Sequence, residues 1–79
     1  MVTVLRIRGL RVVIFTNDHE PAHVHVYGDG EAKINLVGRD GAPELVRAEA
    51  MTRAEIRRAM ATVAEHREAL LMRWKEIHG

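Results

Sequence analysis

Residues 22–37, AHVHVYGDGEAKINLV, carry the clearest structural pattern of the chain, because two alternating runs flank a glycine-rich turn. Apolar and polar side chains alternate on both sides of Gly28-Asp29-Gly30. Such alternation is typical of strands with one buried face, and glycine adopts the backbone angles that tight hairpin turns require. These residues therefore predict a β-hairpin.

Two further runs before this hairpin are rich in β-branched residues and predict strands. Residues 3–7 and 10–16 flank Gly9, a pattern that indicates a short hairpin or a bulged bend. Residues 44–47 are a candidate for a short edge strand. The sequence thus predicts an antiparallel sheet of three or four strands, with the main strands at about residues 3–37.

The last third of the chain predicts one long helix, at about residues 52–78. Thr52 and Glu55 have the spacing of a capping box, and no glycine or proline interrupts the segment. Its apolar residues form a stripe along one side, which we expect to cover the sheet and to bury Trp74 in the core. Arg67 lies within this stripe, and we expect its aliphatic stem to lie along the apolar surface.

Length and composition indicate a single α+β domain, residues 1–79, with the long C-terminal helix across one face of the sheet. The chain has 12 lysines and arginines, 11 acidic residues and no cysteine. A disulfide framework, a thiolate metal site and a strongly basic nucleic-acid arm are therefore excluded.

The three aromatic residues argue against a protein that binds single strands by base stacking. No apolar run approaches the ~18 residues of a membrane span, and we expect a cytoplasmic protein without a membrane segment.

The chemistry of the sequence is concentrated before and within the third predicted strand. His23 and His25 share one strand face, and the polar loop before them carries Asp18 and His19. Imidazoles at positions i and i+2 of a strand can bind one metal ion. His19, His23 and His25, or two of these with a loop carboxylate, would form a three-ligand site with an open position, as catalytic zinc requires.

The same residues also suit acid–base chemistry without a cofactor. In that interpretation His23 and His25 act as general acid and general base in the cleavage of a phosphodiester, while His19 and Asp18 orient them. Phosphate contacts would come from the basic residues predicted on the same sheet face, which are Lys33, Arg11 and Arg6. A third interpretation assigns no chemistry: the histidines are polar residues on an exposed strand face, and Asp18 only caps a turn.

The segment Asp-His-Glu-Pro-Ala-His-Val-His, residues 18–25, resembles the motif of a prokaryotic family known as domain of unknown function 4160. The resemblance extends to the opening residues 6–10, to residues 30–34 and to the closing residues 70–79. Members of that family commonly carry a second proline where this chain has Ala22. No reaction comes with the family name. The resemblance implies functional roles for the motif residues, which are Asp18, His19, His23 and His25. It implies weaker roles for two basic residues, Arg6 and Lys33.

The resemblance also implies a partner, because genes of this family often lie beside another small gene in an arrangement like that of a toxin–antitoxin pair. We therefore expect one component of such a pair, RNA-directed and with a histidine-based site. The alternative is a non-enzymatic module that binds a small cognate protein and holds a divalent metal such as zinc in its histidine cluster. A homodimer is a further expected assembly. A DNA-binding regulator ranks third, because a helix-turn-helix needs two helices and one is predicted.

Overall fold

A five-stranded antiparallel sheet followed by two helices forms the fold in the computed structural model, which describes residues 1–79. The strands follow one another across the sheet in chain order. Their bounds are β1 Val2–Ile7, β2 Leu10–Ile14, β3 His23–Tyr27, β4 Glu31–Asn35 and β5 Glu44–Glu49, and the helices are α1 Arg53–Glu65 and α2 Arg67–His78. The predicted α+β class is confirmed. Neither helix is both long and apolar enough to cross a membrane.

The β3–β4 hairpin forms about Gly28-Asp29-Gly30, as the alternation predicts. Tyr27 pairs with Glu31, and His25 pairs with Lys33. Gly30 is required here because a Cβ atom at this position would overlap the backbone carbonyl oxygens at the end of β5. Neither Gly28 nor Gly30 has a positive φ, so glycine is required at residue 30 by the close approach of a neighbouring strand and not by the backbone angles of the turn.

The β1–β2 connection is a two-residue hairpin turn formed by Arg8 and Gly9. Both residues have positive φ, at 54° and 73°. This is the backbone of a type I′ turn, which matches the twist of the strands that it joins. Of the two predicted alternatives at Gly9, the structure therefore shows the short hairpin.

The sheet has five strands where three or four were expected, because the candidate edge strand at residues 44–47 is a full strand, β5, which extends to Glu49 and pairs with β4. Its register shifts so that Lys33 pairs with Arg47 but Ile34 pairs with Leu45. Val46 is left out of this pairing, and both Leu45 and Val46 are exposed. An irregular, exposed strand lacks the alternation on which sequence-based recognition depends.

The expectation of one continuous helix is also wrong, because the helix breaks at His66. Its beginning is as predicted: the Thr52 hydroxyl accepts a hydrogen bond from the Glu55 amide at 3.1 Å. No glycine or proline marks the break. The guanidinium of Arg67, the next residue, donates to the carbonyl of Gly41. Backbone hydrogen bonds continue on both sides of the break, from the His66 amide to the Thr62 carbonyl and from the Leu70 amide to the His66 carbonyl.

The core lies between one face of the sheet and the two helices. It contains alternate residues of the inner strands together with residues of both helices, namely Leu10, Val12, Ile14, Val24, Val26, Ala32, Ile34, Leu36, Ala59, Val63, Leu70 and Trp74. Trp74 is buried as predicted. The opposite face of the sheet carries the histidines, and it is the face on which the candidate site forms.

Candidate metal centre

Asp18, His23 and His25 form a compact group on the sheet face opposite the helix-covered core. One ligand atom of each residue lies within 4.8 Å of the others. The histidines alternate along β3, and Asp18 comes from the loop that joins β2 to β3. That loop folds back on β2, because the Asp18 amide donates to the Phe15 carbonyl at 3.1 Å and the Phe15 amide donates to Asp18 Oδ2 at 3.2 Å.

Both histidines are buried, in contrast to the exposed outer face that the strand alternation predicts. His23 is 4% exposed and His25 is 7% exposed. The Phe15 ring packs edge-on against His25 with centroids 4.6 Å apart, and the Trp74 ring lies 5.2 Å from His23. Trp74 reaches this end of the sheet from α2.

The His23 ring has a defined hydrogen-bonding arrangement. Its Nδ1 lies 2.8 Å from the carbonyl oxygen of Pro21, which can only accept a hydrogen bond. Nδ1 therefore carries a proton, and in the neutral ring the lone pair is on Nε2. That Nε2 lies 3.2 Å from Oδ2 of Asp18.

The His25 ring repeats this arrangement with a different partner. Its Nδ1 lies 3.3 Å from Oε2 of Glu31, and its Nε2 lies 3.5 Å from the same Oδ2 of Asp18. The Nε2 atom is buried and has no hydrogen-bond partner. When Nδ1 donates to Glu31, the neutral ring again has its lone pair on Nε2, aimed at Asp18.

Burial lowers the pKa of His25 below its ordinary value of 6.5. The negative charges of Asp18 and Glu31 act in the opposite direction, and His23 adds to the lowering. Desolvation has the largest effect, so the neutral imidazole is favoured at neutral pH. Neutral imidazole is the form in which histidine binds metal ions.

The two distances from the histidine Nε2 atoms to Asp18 Oδ2 suit a small transition-metal ion, and all three ligand atoms lie within 4.8 Å of one another. In a tetrahedral site with metal–ligand bonds of about 2.05 Å, neighbouring ligand atoms are about 3.3 Å apart. The two distances to Asp18 Oδ2 are 3.2 and 3.5 Å. Ligand histidines in metal sites usually donate their second ring nitrogen to a carbonyl or carboxylate. Pro21 and Glu31 supply these two acceptors here.

The structure brings together only part of the predicted ligand set. His19 is exposed and is not in the group, whereas Asp18, the alternative loop carboxylate, is. Glu31 was not among the sequence-based candidates. Its position could have been found from the predicted hairpin, because a three-residue turn pairs Tyr27 with Glu31 and makes Glu31 the diagonal neighbour of His25.

The predicted phosphate-contact residues are divided between two places. Lys33 is the cross-strand neighbour of His25. Arg6 and Arg11 pair with each other on β1 and β2, and the Arg11 guanidinium lies 5.2 Å from the centre of the Tyr27 ring. Only Lys33 is therefore directly opposite a histidine of the site.

The end of α2 holds the loop in place over the candidate centre. Trp74 Nε1 donates to Oε2 of Glu20 at 3.4 Å, and the His78 ring stacks on the Trp74 ring with centroids 3.8 Å apart. His78 Nε2 also lies 3.2 Å from the Phe15 carbonyl oxygen. These contacts close the site on the side of the C-terminal helix.

A family model described as Domain of unknown function (DUF4160) matches residues 9–75, a range that includes all three residues of the centre. The match spans most of the 79-residue chain. No curated protein and no solved structure matches it.

Proposed function

The chain belongs to that family, whose description names no activity, and we propose that it binds a divalent transition-metal ion such as zinc through Asp18, His23 and His25. One observation carries the proposal: the Nε2 atoms of two buried imidazoles converge on one carboxylate oxygen while both Nδ1 atoms face other acceptors. Two imidazoles and a carboxylate are a donor set that suits zinc, iron and nickel.

A bound cation explains this arrangement better than protons do. Without a cation, two lone pairs point at a carboxylate in a buried site, which is electrostatically unfavourable. Protonation of both rings would relieve the repulsion, but burial disfavours the charged form of His25. A divalent ion between the three atoms satisfies both lone pairs and the carboxylate together. It also gives Nε2 of His25 the partner that it lacks within the protein.

Three protein ligands leave at least one coordination position open. In zinc enzymes such a position holds a water molecule that the metal makes more acidic. In a non-enzymatic module it would accept a donor atom from a partner protein. Both uses begin with the same bound ion, so metal binding is the step to test first.

An RNA-directed acid–base reaction by His23 and His25 is the second candidate, with His19 and Asp18 in supporting roles. The observation that favours it is the position of Lys33 opposite His25, where its ammonium group could contact a phosphate. Burial of both rings weighs against it, because a polynucleotide backbone cannot reach them as a small ion can. Cleavage of a labelled RNA in the presence of a strong chelator would favour this candidate over metal binding.

The proposed partner is a small cognate protein, as in a toxin–antitoxin pair acting in the cytoplasm. Supporting this is the edge strand β5, whose Leu45 and Val46 are 38% and 47% exposed. An exposed edge strand can take up a strand from another protein through main-chain hydrogen bonds. Co-expression with the product of the neighbouring gene tests the pairing. We expect the two proteins to co-purify and Val46→Lys to weaken that association, and co-purification unaffected by Val46→Lys would place the interface elsewhere.

Metal binding is tested with chelator-treated protein titrated with zinc, with His25→Ala as the variant and His19→Ala as its matched control. We expect one equivalent of zinc in the wild type and in His19→Ala. We expect His25→Ala to bind at least about tenfold more weakly. Asp18→Asn provides a second test, because it keeps the side-chain shape that the Phe15 amide requires. Equal zinc affinity in all four proteins would contradict the proposal.

A further inference from the structure

A second candidate site lies at the other end of the histidine-bearing sheet face. A depression of about 600 Å³ is bounded by the β1–β2 turn and by the end of β3. Volumes of this size are typical of small-molecule sites. Its lining includes Arg6, Arg8, Arg11 and Tyr27, and it contains no carboxylate. The surface is therefore locally positive although the whole chain has a net charge of +1.

Arg6 and Arg11 are directly opposite each other on neighbouring antiparallel strands. Neither forms an ion pair within the protein. Like charges at directly opposed positions destabilise a sheet. An anion between the two guanidinium groups would turn this repulsion into two favourable interactions.

The third arginine fixes the wall of the depression. Arg8 Nη2 lies 3.1 Å from Oε2 of Glu65, and its Nη1 donates to the Thr62 hydroxyl at 3.3 Å. Arg8 also has a φ of 54°, in a turn position where asparagine and glycine are preferred. The side chain thus anchors the β1–β2 turn to α1 at a place where its backbone is strained.

Arg11 is held by an aromatic ring, and Glu31, an acid on the same sheet face, is already engaged. The Arg11 guanidinium lies over Tyr27. Glu31 is opposite Tyr27, but its Oε2 contacts His25 and its Oε1 lies 3.9 Å from Arg47. The positive charge of Arg6 and Arg11 is therefore left for a ligand.

We propose that this depression binds a phosphate group through the guanidinium groups of Arg6 and Arg11. Each guanidinium presents parallel N–H donors that match two phosphate oxygens. The phosphate can belong to a nucleotide or to an RNA backbone, and both sources share this chemistry. The site is separate from the metal centre and does not require the ion.

The test is a titration of isotope-labelled, metal-free protein with inorganic phosphate, adenosine monophosphate and a short RNA, followed by amide chemical shifts. We expect shifts centred on residues 6–11 and 27–28. Arg11→Ala and Arg6→Ala should each weaken binding at least about tenfold, the range for a charge-assisted contact. Arg57→Ala is the matched control, because Arg57 is exposed on α1 and forms no ion pair. It should leave affinity unchanged.

The outcomes separate the ligand sources and can overturn the proposal. If adenosine monophosphate binds, whether or not the RNA also binds, the ligand is of nucleotide size. If the RNA binds and the monophosphate does not, the ligand is a backbone phosphate. Equal shifts with acetate at the same ionic strength would overturn the assignment to phosphate. Absence of localised shifts with any phosphate compound at about 1 mM, the weak end of specific affinity, would overturn the site itself. Because Arg6 is exposed on an edge strand, Arg6→Ala keeps the test valid if Arg11→Ala does not fold.

Discussion

Oε2 of Glu31 lies 3.3 Å from Nδ1 of His25, on the side of the ring opposite the candidate metal position. This carboxylate does not bind the ion but orients the imidazole that would. We expect Glu31→Gln to weaken zinc binding by about tenfold and Glu31→Ala by up to about 100-fold. Competition with a chromophoric chelator measures both values.

Glu49→Gln is the matched control for this prediction. Glu49 is opposite Glu31 in the sheet, and both contact Arg47, so the substitution removes the same charge nearby. It does not touch His25. Equal weakening by Glu49→Gln and Glu31→Gln would show that overall charge, and not ring orientation, sets the affinity.

The metal-free protein should lose stability as the pH falls through the histidine range. The pKa of His25 is lowered in the folded protein, so the unfolded chain binds its proton at a higher pH than the folded chain does. The free energy of unfolding therefore decreases below about pH 6.5 and levels off below the folded pKa. Urea unfolding between about pH 7.5 and pH 5.5 measures this, and His25→Gln should reduce the slope. If the free energy of unfolding depends on pH equally steeply in His25→Gln and in the wild type, another group determines this dependence.

Leu70 tests whether α2 is an integral part of the fold. It is buried in the core, whereas Met72, two residues later, is 63% exposed. We expect Leu70→Ala to lower the free energy of unfolding by about 2–5 kcal/mol, as core truncations do. Met72→Ala should change it by less than about 0.5 kcal/mol. Similar small effects of both substitutions in urea unfolding would indicate that α2 is not docked.

Gly30 tests the close approach of the β3–β4 turn to the end of β5. A Cβ atom there would overlap backbone carbonyl oxygens of Glu49 and Ala50, which cannot move without displacing the strand. We expect Gly30→Ala to destabilise the protein by about 1–3 kcal/mol. In Gly28→Ala the nearest atoms belong to the side chains of Glu55 and Leu10, whose displacement costs the hydrogen bond from the Asp29 amide to Glu55 Oε2 but leaves the strand in place. Thermal unfolding should therefore show the larger decrease for Gly30→Ala.

The sequence predicted the parts of the fold that depend on local pattern. The alternation around Gly28-Asp29-Gly30 predicted the hairpin, and with it the shared face of His23 and His25. The capping residue Thr52 marked the helix start correctly. These features depend on spacing along the chain and on backbone preferences, both of which are visible in the residues themselves.

The remaining features depend on contacts between distant parts of the chain. The break at His66 has no glycine or proline, and it accompanies the docking of Trp74 and the contact of Arg67 with Gly41. Burial of His23 and His25 depends on the rings of Phe15 and Trp74, which come from distant parts of the chain, so a prediction from strand alternation alone left them exposed.

The enclosure of the centre also determines how fast an ion can leave it. The Asp18 side chain is 17% exposed and the two histidine side chains less, so exchange would proceed past the loop that carries Asp18. Phe15 holds that loop to β2, and the bond from Trp74 to Glu20 holds it to α2. Release would then require local opening of the loop. With excess chelator, the dissociation rate should therefore be independent of chelator concentration and should increase when Glu20 is replaced by alanine.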